Sequence, residues 1–108
     1  MHKEYFDKVA GTLAAETGLD KDTSEELVSL FYSKAADNIK LTRRAYTKKD
    51  YEKVKEQVHK IKGSSGNIRA ADISQIALKI EEQLKADPQA DIQNMIDQME
   101  ILINKLGG

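Results

Sequence analysis

Three residues within about one helical turn carry the chemistry this chain can offer: His59, Lys62 and Gly63, inside the stretch Val58 to Ala70. Residues three and four apart share a helix face, so the lysine ammonium and the bare glycine backbone both lie beside the imidazole. Imidazole ordinarily titrates near about pH 6.5, which leaves a ring-nitrogen lone pair free at neutral pH to take up a phosphoryl group. The phosphorylated ring would carry roughly two negative charges. Lys62 is placed to favour both the incoming and the bound group, with Lys55 and Lys60 close enough to add to the field. A glycine inside a helix costs about 1 kcal/mol against alanine, and Gly63 is followed closely by Gly66. Clearing bulk so that a second protein can reach His59 is a reason for that cost. The plainer alternative is a solvated histidine and a solvated lysine, with Ser64 and Ser65 making helix-end hydrogen bonds. His2, the other histidine, is read as a terminal residue of no consequence.

A nucleophilic histidine works best when an acceptor holds its other ring nitrogen, which selects the tautomer and raises the electron density at the attacking atom. If the helix of His59 pairs antiparallel with the next one across a joint near residue 68, the position alongside falls between about 75 and 82. Glu81 or Glu82, then Gln75, are the candidates, and Leu78 is an apolar contact for a partner. Glu81 has an ordinary alternative as well, an i,i+4 pair with Lys85.

Five helices are needed to position these groups. The chain has one proline and six glycines and is otherwise rich in residues that lose little on entering a helix. Phe6, Val9, Ala10 and Leu13 predict a helix over about 3–16, ended by a left-handed cap at Gly18. Thr23 or Ser24 caps a second, over about 23–46, with Leu27, Phe31, Ala35 and Ile39 in its stripe and Leu30 and Leu41 beside it. After the polar joint Thr47-Lys48-Lys49-Asp50, Asp50 caps a third helix ending near 66, with Val54, Val58, Ile61 and Ser65 inward. His59 is one position off that stripe, at the rim of the core. Asp72 with Gln75 forms a capping-box variant for a fourth helix over about 71–86, with Ile73, Ile76, Ala77, Ile80 and Leu84 inward. Asp87-Pro88 reads as the start of the last helix, which carries Ile92, Met95, Ile96, Met99, Leu102, Ile103 and Leu106 and ends at Gly107-Gly108. The fold class is all-α, an up-and-down four-helix bundle over about 23–106 with an additional N-terminal helix, and residues 1–108 form a single domain.

Composition narrows the function. The chain has 108 residues with 17 basic and 18 acidic side chains, a net charge of −1, so no global field favours nucleic acid or an anionic membrane. The cluster Lys40, Arg43, Arg44, Lys48, Lys49 solvates a helix end or touches an acidic partner; the few aromatics argue against nucleic acid there. There is no cysteine, hence no disulfide or thiolate metal site, and no carboxylate cluster suits a metal. The charged N-terminus lacks a signal-peptide core, and no run approaches membrane-spanning length, so a cytoplasmic setting is expected. Termini without an obvious linker favour a free-standing protein.

The run His59-x-x-Lys62-Gly63-Ser64-Ser65-x-Asn67-x-x-Ala70 resembles the histidine-containing phosphotransfer (HPt) domains of multistep phosphorelays. The similarity extends to Phe31, Ala35, Ala45 and Asp50 before it and to Ile73, Ala77, Ile80 and Glu81 after it, about residues 24–85. It implies that His59 is phosphorylated on Nε2, that Lys62 assists the phosphoryl group electrostatically, that Gly63 gives the partner access, and that Glu81 orients the ring. Lys55, Lys60, Gly66 and Leu78 are the further docking candidates. One departure stands out: Arg69 occupies a position where the family commonly has glycine. The implied function is a phosphocarrier that accepts a phosphoryl group from a receiver aspartate or a sensor kinase and passes it to another receiver. Such a carrier is a monomer, not an enzyme. It needs no cofactor of its own, the Mg²⁺ belonging to the receiver. The rival is a helical module that docks a kinase or receiver without being phosphorylated.

Overall fold

Backbone stereochemistry sets the joints. Gly18 stands at φ +78°, the left-handed conformation that glycine adopts without a Cβ penalty, and its N–H donates to Ala14 O at 2.9 Å. The two following joints use the same left-handed turn with a non-glycine residue, Lys49 at φ 60° and Arg69 at φ 66°. In each, the next N–H reaches back five residues, Asp50 to Ala45 O and Ala70 to Ser65 O, both at 2.9 Å, which closes a Schellman-type cap. Chain direction reverses at each joint, and an up-and-down bundle results.

The computed structural model describes residues 3–107, so His2 and Gly108 lie outside the described residues. Within them the chain forms α1 (Lys3–Thr17), α2 (Lys21–Thr47), α3 (Tyr51–Asn67), α4 (Ala71–Ala86) and α5 (Gln93–Leu106), with no strand. Helices α2 to α5 pack as a closed ring, each against the next and α5 back against α2, while α1 lies on α2 and α5. One apolar core runs through it: Val54, Val58 and Ile61 of α3 face Ile73, Ala77, Ile80 and Leu84 of α4, with Phe31, Ile39, Ile96, Met99 and Ile103 closing the far side. Truncating a fully buried isoleucine such as Ile61 or Ile80 to alanine would cost roughly 2–5 kcal/mol, so the helices beneath the site are held firmly. No helix among the described residues is long and apolar enough to cross a membrane.

Three expected helix starts are corrected. The cap of α2 is Asp20, three residues ahead of Thr23: its Oδ1 accepts the Thr23 N–H at 2.7 Å, and Ser24 Oγ donates to Asp20 O at 2.8 Å. Asp72 lies within the first turn of α4, and the cap position is Ala70, with no side-chain hydrogen bond. There the chain enters helix directly from the Arg69 turn. Asp87-Pro88 does not start α5 but forms a turn of its own, with the Ala90 N–H donating to Asp87 O and the Gln89 N–H to Asp87 Oδ1, both at 3.0 Å. Aspartate at the first and proline at the second position suit such a turn as well as they suit a helix start. The real start of α5 is fixed from outside: the Tyr46 hydroxyl accepts the Ile92 N–H at 3.2 Å and lies 3.3 Å from Asp91 Oδ1, to which it donates.

Candidate functional site

Helix α3 is buried along Val54, Val58, Ile61 and Ser65, which turns His59 outward, its side chain 69% exposed. The Arg69 joint brings α4 up antiparallel, and Glu81, as far past the joint as His59 is before it, comes alongside. Its Oε2 lies 2.9 Å from His59 Nδ1. A carboxylate offers only acceptors, so Nδ1 carries the proton and donates it, leaving the lone pair on Nε2. Among the described residues Nε2 has no hydrogen-bond partner.

Lys62 is on the same α3 face, and its Nζ lies 2.7 Å from Glu81 Oε1. That oxygen is withdrawn from water, and the Lys62 ammonium is its ion-pair partner. Burial pushes the Glu81 carboxyl up, but hydrogen bonds from Lys62 and His59, with their charges, outweigh it and hold the group below the ordinary carboxylate range. Glu81 is therefore ionised at neutral pH. Its alternative pairing with Lys85 is not made: the cation comes across the helix interface from α3. A hydrogen bond from His59 and an ion pair with Lys62 thus converge on one carboxylate, and Lys62 leans toward Glu81.

Gly63 and Gly66 sit on the outer surface of α3, and a Cβ built on either meets nothing within 4 Å. Packing inside the molecule gives no reason for glycine at these two positions, so the helix bears their cost for a surface cleared toward solvent. Leu78, 44% exposed, projects from α4 into an open depression of about 460 Å³ that Lys55, Lys62, Glu81, Glu82 and Lys85 also line. Glu82 belongs to this depression, not to the histidine. Lys55 and Lys60 lie on α3 in loose pairs with Glu52 at 3.7 Å and Glu56 at 3.5 Å. Ser64 and Ser65 bond back to Lys60 O at 2.7 Å and Lys62 O at 3.1 Å, inside their own helix.

Sequence reasoning missed two features. Arg69 Nε donates to Glu16 Oε1 at 2.7 Å and Nη1 to Asn67 O at 3.0 Å. The arginine that stands in place of glycine thus caps the end of α3 and pins it to α1. Arg43, placed in a free basic cluster, instead donates to Asp97 at 2.7 Å and Glu100 at 2.6 Å. The positive φ of Arg69 and the partners of Arg43, more than fifty residues away, leave no local signal in the sequence.

Helix α3 of the bundle thus presents an exposed histidine whose inner ring nitrogen meets a carboxylate from α4. The family model described as Hpt domain matches residues 26–107, and the chain belongs to that family. Its members are phosphocarriers in phosphorelays, not enzymes, and work with receiver domains and kinases. Neither a curated protein nor a solved structure matches the chain.

Proposed function

We propose that His59 is the phosphoacceptor of a phosphorelay carrier that takes the group from a receiver aspartate or a kinase and delivers it to another receiver. The observation that carries this reading is the Nδ1 contact to Glu81 at 2.9 Å on a ring 69% exposed, which leaves Nε2 as the outward nucleophile. In the forward step the Nε2 lone pair attacks the phosphorus of an aspartyl phosphate. The N–P bond forms as the P–O bond to the aspartyl carboxylate breaks, and the electron pair leaves with that carboxylate. No proton need move: Nδ1 keeps its hydrogen, and the positive charge gained by the ring is met by Glu81. Glu81 acts as a positioning residue through the ring. Lys62 keeps that carboxylate ionised and, when the phosphoryl group arrives, can turn its ammonium toward it. Gly63 and Gly66 admit the partner, and Lys55, Lys60 and Leu78 contact it. The Mg²⁺ for transfer comes with the receiver. The carrier works as a single-domain monomer, with no nucleotide site and no catalytic activity of its own.

The test is incubation with a phosphorylated receiver, followed by assay for acid-labile, alkali-stable phosphate. Label is expected on the wild type and absent from His59→Gln. Label that persists in His59→Gln would assign the phosphate elsewhere; a wild type that binds receivers but never takes label would leave the docking module as the function.

A further inference from the structure

The last five residues of α3, Gly63, Ser64, Ser65, Gly66 and Asn67, are poor helix formers. Glycine leaves the backbone free to unwind, and serine and asparagine compete with it for hydrogen bonds. No basic side chain stands in the last turn to meet the negative end of the helix dipole. The core holds the inner side of this turn through buried Ser65 and, just past the helix, through Ile68 and Ala70. The outer side carries Gly63 and Gly66, beside which a Cβ would meet nothing within 4 Å, so no side chain of the turn itself braces it.

Arg69 reaches the turn from beyond the helix. Its Nη1 donates to Asn67 O at 3.0 Å and, more loosely, to Gly66 O at 3.4 Å, while Nε donates to Glu16 Oε1 at 2.7 Å. One guanidinium therefore puts a cation at the carbonyl end of α3 and ties that end to α1. The Arg69 backbone stands at φ 66°, a conformation that glycine adopts without a Cβ clash and arginine does not; the contacts of the side chain offset that strain. The α2–α3 joint makes the same backbone turn with Lys49 at φ 60°. There the preceding helix has Arg44 in its own last turn, and among the described residues Lys49 enters no ion pair. The braced joint is the one that follows the two surface glycines.

We infer that Arg69 and Glu16 are positioning residues for partner docking: from α1 they brace the last turn of α3 and keep the surface around Gly63 and Gly66 in the helical shape that a receiver meets. The inference rests on the docking role proposed for that surface. Affinity for a receiver falls with the fraction of molecules in which the turn is open, so loosening the brace weakens docking without altering the chemistry at His59. Glu16 precedes residue 26, where the family match begins, so a segment ahead of the match acts on the docking surface.

The test uses Arg69→Gly, which removes the side chain and leaves a residue at ease in the turn, so the helical circular dichroism should remain that of the wild type. In hydrogen exchange of the full chain without receiver, the amides of residues 66–70 should exchange about threefold faster or more, the scale of a partly solvated ion pair. Those of residues 48–50, at the other joint, should keep their rates. The Kd for the receiver domain of the labelling experiment, measured by titration calorimetry, should rise about threefold or more, with the transfer rate at saturating receiver unchanged. Glu16→Gln keeps the arginine and its charge, and should move exchange and Kd in the same direction by a smaller factor. Unchanged exchange at residues 66–70 would overturn the brace, and faster exchange with an unchanged Kd would overturn its part in docking. A lower Kd in Glu16→Gln would also overturn the inference, since an arginine released from α1 would then be binding the receiver directly. Failure of the phosphocarrier reading shows separately, as a wild type that binds the receiver and takes no label; exchange and Kd do not depend on that label.

Discussion

Two polar triads join neighbouring helices of this bundle, and they are built in opposite senses. Between α2 and α5 one cation, Arg43, lies between two carboxylates, Asp97 at 2.7 Å and Glu100 at 2.6 Å. Between α3 and α4 one carboxylate, Glu81, lies between Lys62 at 2.7 Å and His59 at 2.9 Å. The arginine triad is closed: hydrogen bonds to Asp97 and then Glu100 hold the guanidinium firmly protonated, and its fork is spent on them. The glutamate triad is open, because one of its members has a second nitrogen that faces solvent. The same kind of contact is a clamp in one place and, in the function proposed for it, holds a nucleophile in the other; what separates them is the free ring nitrogen of a histidine.

The largest expected effect breaks the comparison at that histidine. His59→Gln should remove all receiver-dependent phosphate label, whereas Arg43→Met should keep it; loss of label in both would make the two triads equivalent and purely structural. Next is Glu81→Ala, expected to slow transfer roughly tenfold, the scale on which removal of a group that orients a histidine is felt. Its circular dichroism should remain that of the wild type. Rapid-quench kinetics at saturating receiver separate this outcome from weaker docking, and an unchanged transfer rate would take Glu81 out of the site.

Stability changes are smaller and should have the reverse distribution. Arg43→Met opens the closed triad and should cost at most about 1 kcal/mol, since its contacts are partly solvated, with no change in transfer rate. Gly63→Ala adds a Cβ that meets nothing within 4 Å. It should gain up to about 1 kcal/mol, a rise of about 4–8 °C in Tm. The bulkier Gly63→Gln should gain similar helicity yet weaken receiver docking. If thermal melts and receiver binding improve together in Gly63→Gln, the glycine has no part in access.

What was legible in the sequence follows from the range of the forces involved. Apolar periodicity is local, so the five helices, the inward face of α3 and the outward placement of His59 could be read, although on α2 Val28 is buried where Leu27 was expected; reflection about the α3–α4 joint brought the search to Glu81. Helix starts were less legible, because aspartate and proline serve caps and turns alike: Asp87-Pro88 proved a turn, and Asp20 displaced Thr23 and Ser24. Tertiary partners of charged side chains were not legible at all. Lys85 is the nearer cation to Glu81 in sequence, yet Lys62 holds it from the adjacent helix. Arg69 had no local rationale until Glu16 and the α3 carbonyls were seen around it.

The two triads should also part in acid, though by a small margin. In the folded protein burial pushes Glu81 up, but Lys62 and His59 pull its carboxyl below its ordinary 4.5. Asp97 is held below its ordinary 3.8 by hydrogen bonds from Arg43 and then Gln93. A carboxylate whose folded pKa is depressed contributes stability that is fully present above its unfolded value and is lost as pH falls through the folded one. On lowering the pH, the Glu81 contribution therefore begins to fade near about pH 4.5 and that of Asp97 only nearer 3.8. For Glu81 the whole contribution should be no more than about 1 kcal/mol, given its partial contact with water. Urea melts at closely spaced pH values, for the wild type, Glu81→Gln and Asp97→Asn, measure the order of loss. The wild type's stability advantage should first begin to shrink over Glu81→Gln and, further into acid, over Asp97→Asn. If the advantage over Asp97→Asn is instead fully lost at a higher pH than that over Glu81→Gln, Lys62 and His59 grip their carboxylate more tightly than Arg43 grips Asp97, and the open triad is the stronger clamp.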